Sequence, residues 1–93
     1  MNKYEVLYIL DVKLDDAAKD ALIEKFKGVV ETAGGSVEGV DKWGVKKLAY
    51  EINFKSEGYY VLMNFTADAA LPQELERQMR ITDEVMRFIV VKK

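Results

Sequence analysis

The sequence predicts an α+β fold: a four-stranded, antiparallel-type sheet carrying two helices on one face. Two observations and one topological rule lead there. Two stretches have apolar residues recurring at helical spacing, and four others are strand-like, either alternating or short and apolar. They follow one another as strand, helix, strand, strand, helix, strand. Right-handed crossovers then put both helices on the same side of the sheet.

Tyr4 to Leu10 is a short apolar run with one acid, Glu5, and its Tyr, Val and Ile content predicts a central strand. The polar stretch Asp11 to Asp16 ends it. Asp15 and Asp16 suit a helix start, where they cap backbone N–H groups and set negative charge at the positive end of the helix. Ala18, Leu22, Phe26, Val29 and Ala33 then recur every three or four residues, as one face of an amphipathic helix does. Gly34-Gly35 ends it, because glycine accepts the left-handed conformation that closes a helix. Ser36 to Phe54 reads as an unusually long second strand with a bend at Gly44. Within it Leu48, Tyr50, Ile52 and Phe54 alternate with Lys47, Ala49, Glu51 and Asn53, the pattern of a half-buried strand. Lys55-Ser56-Glu57-Gly58 is expected to be a hairpin turn, and Tyr59 to Thr66, apolar at nearly every position, a central strand. Asp68 to Arg80 is the second helix, with Pro72 in its first turn and a buried stripe of Leu71, Leu75 and Met79. Thr82-Asp83 interrupts, and Val85 to Val91 is the fourth strand. Strands one and three are then central and strands two and four lie at the edges. This is the ferredoxin-like split β-α-β sandwich, expected as one domain over residues 1–93. The architecture hosts unrelated functions, so activity must be argued from residues.

Composition removes whole classes of chemistry. Apolar types make up 49% and charged types 32%, which is globular and not disordered. With no cysteine and no histidine, disulfides, thiolate or imidazole zinc sites, cysteine nucleophiles and histidine bases are excluded. The formal charge of -2 excludes a globally basic clamp for nucleic acid, so any polyanion contact must come from local patches. No run approaches the roughly 20 apolar residues that span a membrane. Met1-Asn2-Lys3-Tyr4-Glu5 reaches an acid at once, unlike a signal peptide, and the expected compartment is the cytoplasm.

No catalytic or metal-binding group stands out. Asp15-Asp16 is explained as a helix start, and Glu74 and Glu76, two apart on a helix, point in different directions. The glycines of 34–39 follow a helix and precede a strand, the reverse of a phosphate loop. Basic residues are more informative. Residues 42–55 hold Lys42, Lys46, Lys47 and Lys55 against Glu51. Residues 77–93 hold Arg77, Arg80, Arg87, Lys92 and Lys93 against Asp83 and Glu84, and contain every arginine of the chain. Such patches can contact phosphates. Alternatively, Lys46-Lys47 protects an edge strand from aggregation. Trp43, Tyr50, Phe54, Tyr59 and Tyr60 interleave with these charges, suited either to packing or to stacking on bases. Tyr59-Tyr60-Val61-Leu62-Met63-Asn64-Phe65 lacks the basic-glycine opening of an RNA recognition motif.

Four segments carry a resemblance to a known family: Lys3-Tyr4-Glu5-Val6-Leu7-Tyr8-Ile9, Trp43-Gly44-Val45-Lys46-Lys47-Leu48-Ala49-Tyr50-Glu51-Ile52, Gly58-Tyr59-Tyr60-Val61-Leu62-Met63-Asn64-Phe65, and Arg80-Ile81-Thr82-Asp83 leading into residues 85–92. Across nearly its whole length the chain resembles the bacterial ribosomal small-subunit protein six family. The resemblance implies a ferredoxin-like fold, no enzyme activity, no cofactor and no metal. It implies binding to small-subunit ribosomal RNA in the central domain, or platform, as a heterodimer with ribosomal protein eighteen. The RNA-contact residues it implies are Lys3, Lys46, Lys47, Arg80 and Arg87, with Trp43 beside them. Val45 departs from the family's commonest pattern, where a basic residue is frequent, and lysines stand where two arginines are common. Lysine lacks the two-pronged arginine contact with phosphate, which weakens any direct hold on RNA.

Two other classes compete. One is a small-ligand regulatory or dimerising domain on the same fold, using an apolar open sheet face of Leu7, Ile9, Ile89 and Val91. The other is an acylphosphatase-like enzyme, which needs an arginine in a glycine-rich loop after strand one; Asp11-Val12-Lys13-Leu14-Asp15 has neither.

Overall fold

The computed structural model describes residues 1–52 and 55–93, with the side chains of 49, 50 and 52 left aside. The elements are β1 (Asn2–Leu10), α1 (Asp16–Thr32), β2 (Ser36–Ile52), β3 (Lys55–Ala67), α2 (Leu71–Arg80) and β4 (Val85–Lys92). The sheet order is β2-β3-β1-β4, with every neighbouring pair antiparallel, as the ferredoxin-like reading requires.

Strand β1 sets the division between core and surface. Tyr4, Val6, Tyr8 and Leu10 alternate into the core, where they meet Val61, Met63, Phe65 and Ala67 from β3. Ile23, Phe26 and Val30 of α1 and Leu71, Leu75 and Met79 of α2 cover that side. Tyr4 stacks on Phe65 at 5.5 Å between ring centroids, and Tyr8 meets Phe26 edge-on at 5.3 Å. Such paired rings contribute beyond the area they bury.

The helix ends follow local chemistry. The Asp15 carboxylate accepts a hydrogen bond from the Ala18 N–H at 2.7 Å, which satisfies one of the N–H groups without a helical partner. At the other end Gly34, with φ of 85°, lets its own N–H and that of Gly35 return to the carbonyls of Glu31 and Val30. This is a Schellman closure.

Several boundaries and faces differ from the sequence expectation. β1 begins at Asn2 because its ladder to β3 continues to Ala67. The buried face of α1 is Ile23, Phe26 and Val30, one residue around from the expected stripe; Leu22 and Val29 sit at its border and Ala33 is exposed. Ile23 and Val30 take the interior beside Phe26, in place of the smaller Ala18 and Ala33. Residues 55–58 form strand, not turn: Lys55 opens β3 opposite Ile52. The expected strand positions Asn53 and Phe54 lie outside the described residues. Helix α2 begins at Leu71, since Asp68 instead closes a turn by accepting the Leu71 N–H at 3.0 Å.

Two substitutions test this packing. The Tyr8 side chain is fully buried and its hydroxyl has no hydrogen-bond partner among the described residues. Burial, with Tyr59 nearby, pushes its phenol well above the usual range. Tyr8→Phe removes a desolvated, unsatisfied group and should raise stability by about 1 kcal/mol in urea denaturation; a loss would show that the hydroxyl is satisfied. Gly58 is buried beneath Ile9, and a Cβ built there would lie 2.2 Å from Ile9 Cγ2 and 3.3 Å from Leu48 Cδ2. Gly58→Ala should therefore cost about 1–3 kcal/mol through overpacking, read as a lowered denaturation midpoint.

Candidate nucleic-acid interface

Both helices cover one side of the sheet, and the other side is open. Directly opposed residues of an antiparallel pair share a face, so the register identifies its members. Glu5 stands between Asn64 and Val91, Leu7 between Leu62 and Ile89, and Ile9 between Tyr60 and Arg87. Glu5, Leu7, Trp43, Leu62, Ile89 and Val91 line a shallow hollow of about 380 Å³ there. Ile89 and Val91 are each 49% exposed and Trp43 44%, a cluster of large apolar side chains in water. Ile9, expected to belong to this exposed set, is instead buried at the sheet end beside Gly58.

A bulge in β2 builds the most distinctive part of this face. Strand alternation alone would put Trp43 and Lys46, three apart, on opposite faces. Between Lys42 and Gly44 the register slips by one residue, and Gly44 takes a φ of 86°. A glycine in the left-handed region is the usual means of such a bulge. Lys42 then turns to the helix side, where its ammonium meets Asp20 at 2.9 Å, while Lys46 falls opposite Gly58 on the open side. The Trp43 ring lies parallel to Tyr60, 8° apart with centroids at 6.4 Å, and the Lys46 ammonium sits 5.6 Å from the Trp43 ring centre. The indole thus holds a cation at the rim of the apolar hollow.

The residues expected to meet RNA do not all gather here. Lys3, opposite Thr66 and one alternation from Glu5, joins Trp43, Lys46 and Arg87 on the open side. Lys47 stands opposite Glu57 and turns to the other side of the β2–β3 ribbon. Arg80, in the last turn of α2, packs its guanidinium 5.9 Å from the Phe88 ring on the helix side. Arg87 stands opposite Ile9, while Glu5 faces Val91 and its carboxylate lies 3.7 Å from the Lys93 ammonium.

Neighbouring acids neutralise several of the remaining cations. Arg77 makes a two-pronged contact with Glu74 at 2.9 and 2.7 Å, which with Gln78 holds the Glu74 carboxyl down at about 2. Lys55 is paired with Asp11. Of the four lysines in residues 42–55, Lys46 and Lys47 are thus the two exposed without an acid partner among the described residues. Leu62 is a member of the face that sequence reasoning did not assign, and Tyr60, named there only for packing or stacking, joins it; their signal is the alternation of β3 against Val61, Met63 and Phe65. Among the described residues no group of three or more acidic side chains is placed to hold a metal ion.

Comparison with known proteins fits this architecture. The family described as Ribosomal protein S6 matches residues 3–92. A small ribosomal subunit protein bS6 of Clostridium novyi is 62% identical over 91 residues, covering 98% of this chain and 96% of that protein. One of Clostridium botulinum is 57% identical over 91 residues, covering 98% and 97%. The crystal structure of 30S ribosomal protein S6 from Thermotoga maritima superimposes with a TM-score of 0.93 at 30% identity, covering 99% of this chain and 87% of that one. With the family matched almost end to end and relatives more than half identical over nearly their whole length, the chain belongs to the ribosomal protein S6 family.

Proposed function

We propose that the chain binds small-subunit ribosomal RNA in the platform of the subunit together with ribosomal protein eighteen, as a heterodimer. Its family is one of bacterial small-subunit structural proteins, not enzymes, and works in the cytoplasm. The observation that carries the reading is the open sheet face, where a largely apolar hollow shares its side of the sheet with Lys3, Lys46 and Arg87. Apolar area with a cationic rim suits a protein partner in the hollow and phosphates at the margin. Lys47 and Arg80, on other surfaces, would contact RNA from a different side. A chain of net charge -2 holds RNA weakly by itself, since phosphate neutralisation dominates affinity. The basic partner supplies the rest.

Binding of a platform RNA fragment, with and without ribosomal protein eighteen, tests the reading. The chain alone should bind weakly at about 150 mM salt, where charges are screened beyond about 8 Å, and far more tightly with the partner. Lys46→Ala with Lys47→Ala should weaken the ternary complex and reduce its salt slope by roughly one unit per lost phosphate contact. Folding stability should change by less than about 0.5 kcal/mol, as exposed charges usually do. An unchanged slope, with a double mutant more prone to aggregate, would instead make the lysines guards of an edge strand. Homodimerisation through the hollow with no RNA binding would overturn the proposal.

A further inference from the structure

The β2–β3 ribbon outruns the rest of the sheet. The pairing of β1 with β3 ends at Leu10 and Tyr59, whereas β2 still pairs with β3 beyond it, Lys46 with Gly58 and Lys47 with Glu57 and then, after a shift in register, Ile52 with Lys55. Residues 55–58 therefore have a ladder neighbour on one side only, and with the end of β2 they form a two-stranded arm. An isolated two-stranded ribbon is marginal in water, so its direction depends on what ties it to the body. The arm carries Lys46 and Lys47, both exposed.

Among the described residues, two ties join it to the body. One is the packing of Ile9 and Leu48 over Gly58. The other is the pairing of the Lys55 ammonium with the Asp11 carboxylate. Asp11 itself is fixed to the body: its N–H donates to the Glu84 carbonyl at 3.0 Å and its carboxylate accepts from the Lys13 N–H at 3.0 Å. The side chains of Asp11 and Lys55 are 22% and 27% exposed, less than those of any other ion pair among the described residues. The Lys55 contact holds the Asp11 carboxyl below the usual carboxylate range.

We propose that the Asp11–Lys55 pair is a latch that fixes the direction of the β2–β3 arm and makes Asp11 a positioning residue for the contact of that arm with RNA. The RNA part rests on the proposed function; the latch itself does not. The sign of the effect separates a latch from simple electrostatics. Removing an acid from a protein that meets a polyanion should leave its affinity unchanged or raise it. Removing a latch should lower it, because the arm must then be ordered on binding.

Two measurements decide. In the free chain, Asp11→Asn should speed hydrogen exchange of the amides in 46–48 and 56–58 about fivefold, the scale of a single partly exposed ion pair, and leave those of Val61 and Met63 unchanged. Lys55→Met should do the same, and the double variant should be no faster than either single one. Unchanged exchange, or effects that add, would overturn the latch. With a platform RNA fragment and ribosomal protein eighteen, Asp11→Asn should bind about fivefold more weakly despite its lost negative charge. Equal or tighter binding would overturn the positioning role. Failure of the unaltered chain to bind would overturn the RNA reading and that role with it, while the exchange result still judges the latch.

Discussion

The register between the two central strands is the constraint on which the rest depends. With Val6 opposite Met63 and Tyr8 opposite Val61, every second residue of both strands enters the core. The intervening residues, Glu5, Leu7, Tyr60, Leu62 and Asn64, are committed to the open side. A slip of β1 by one residue would send Tyr4 and Tyr8 into water and bring Glu5 against the helices, so core and open face are specified by one choice. The edge strands inherit it. β4 presents Ile89 and Val91 outward because their partners Leu7 and Glu5 already point that way.

Charge is sorted on this frame. Asp20 takes up Lys42, Asp11 takes up Lys55 and Glu74 takes up Arg77. Apart from the less exposed Asp11–Lys55 pair, which joins segments 44 residues apart, these pairs are exposed and contribute little to stability. Their effect is on the surface potential: a chain with a net charge of -2 keeps cations beside the one apolar hollow described on its open face. That is how a mildly acidic protein retains a margin suited to phosphate.

Much of this was legible in the sequence where a pattern had one physical solution. Leu71, Leu75 and Met79 repeat every four residues with polar neighbours between, and the α2 stripe followed. On α1 the apolar arc spans Leu22, Ile23, Phe26, Val29 and Val30, wide enough to fit two faces, and packing against the sheet chose between them. Gly58 looked like a turn residue because smallness serves both turns and close contacts; only the position of Ile9 distinguishes them. The site was less legible for a similar reason. Gly44 signalled an irregularity, but that it brings Trp43 and Lys46 to one face depends on a register slip seen only in the paired strands. Likewise, nothing in the spacing of Arg80 and Arg87 reveals that Phe88 draws Arg80 to the helix side.

The stacking of Trp43 has a consequence for measurement. It is the only tryptophan of the chain, and it lies on the open face, away from the core. Its emission therefore reports on a surface: the half-wet indole would shift to shorter wavelength when a partner dries the hollow, and would be quenched by a base laid against it. Tyr4 and Tyr8, buried in the core, follow the interior instead. One molecule thus carries separate optical signals for docking and for folding, with no label added.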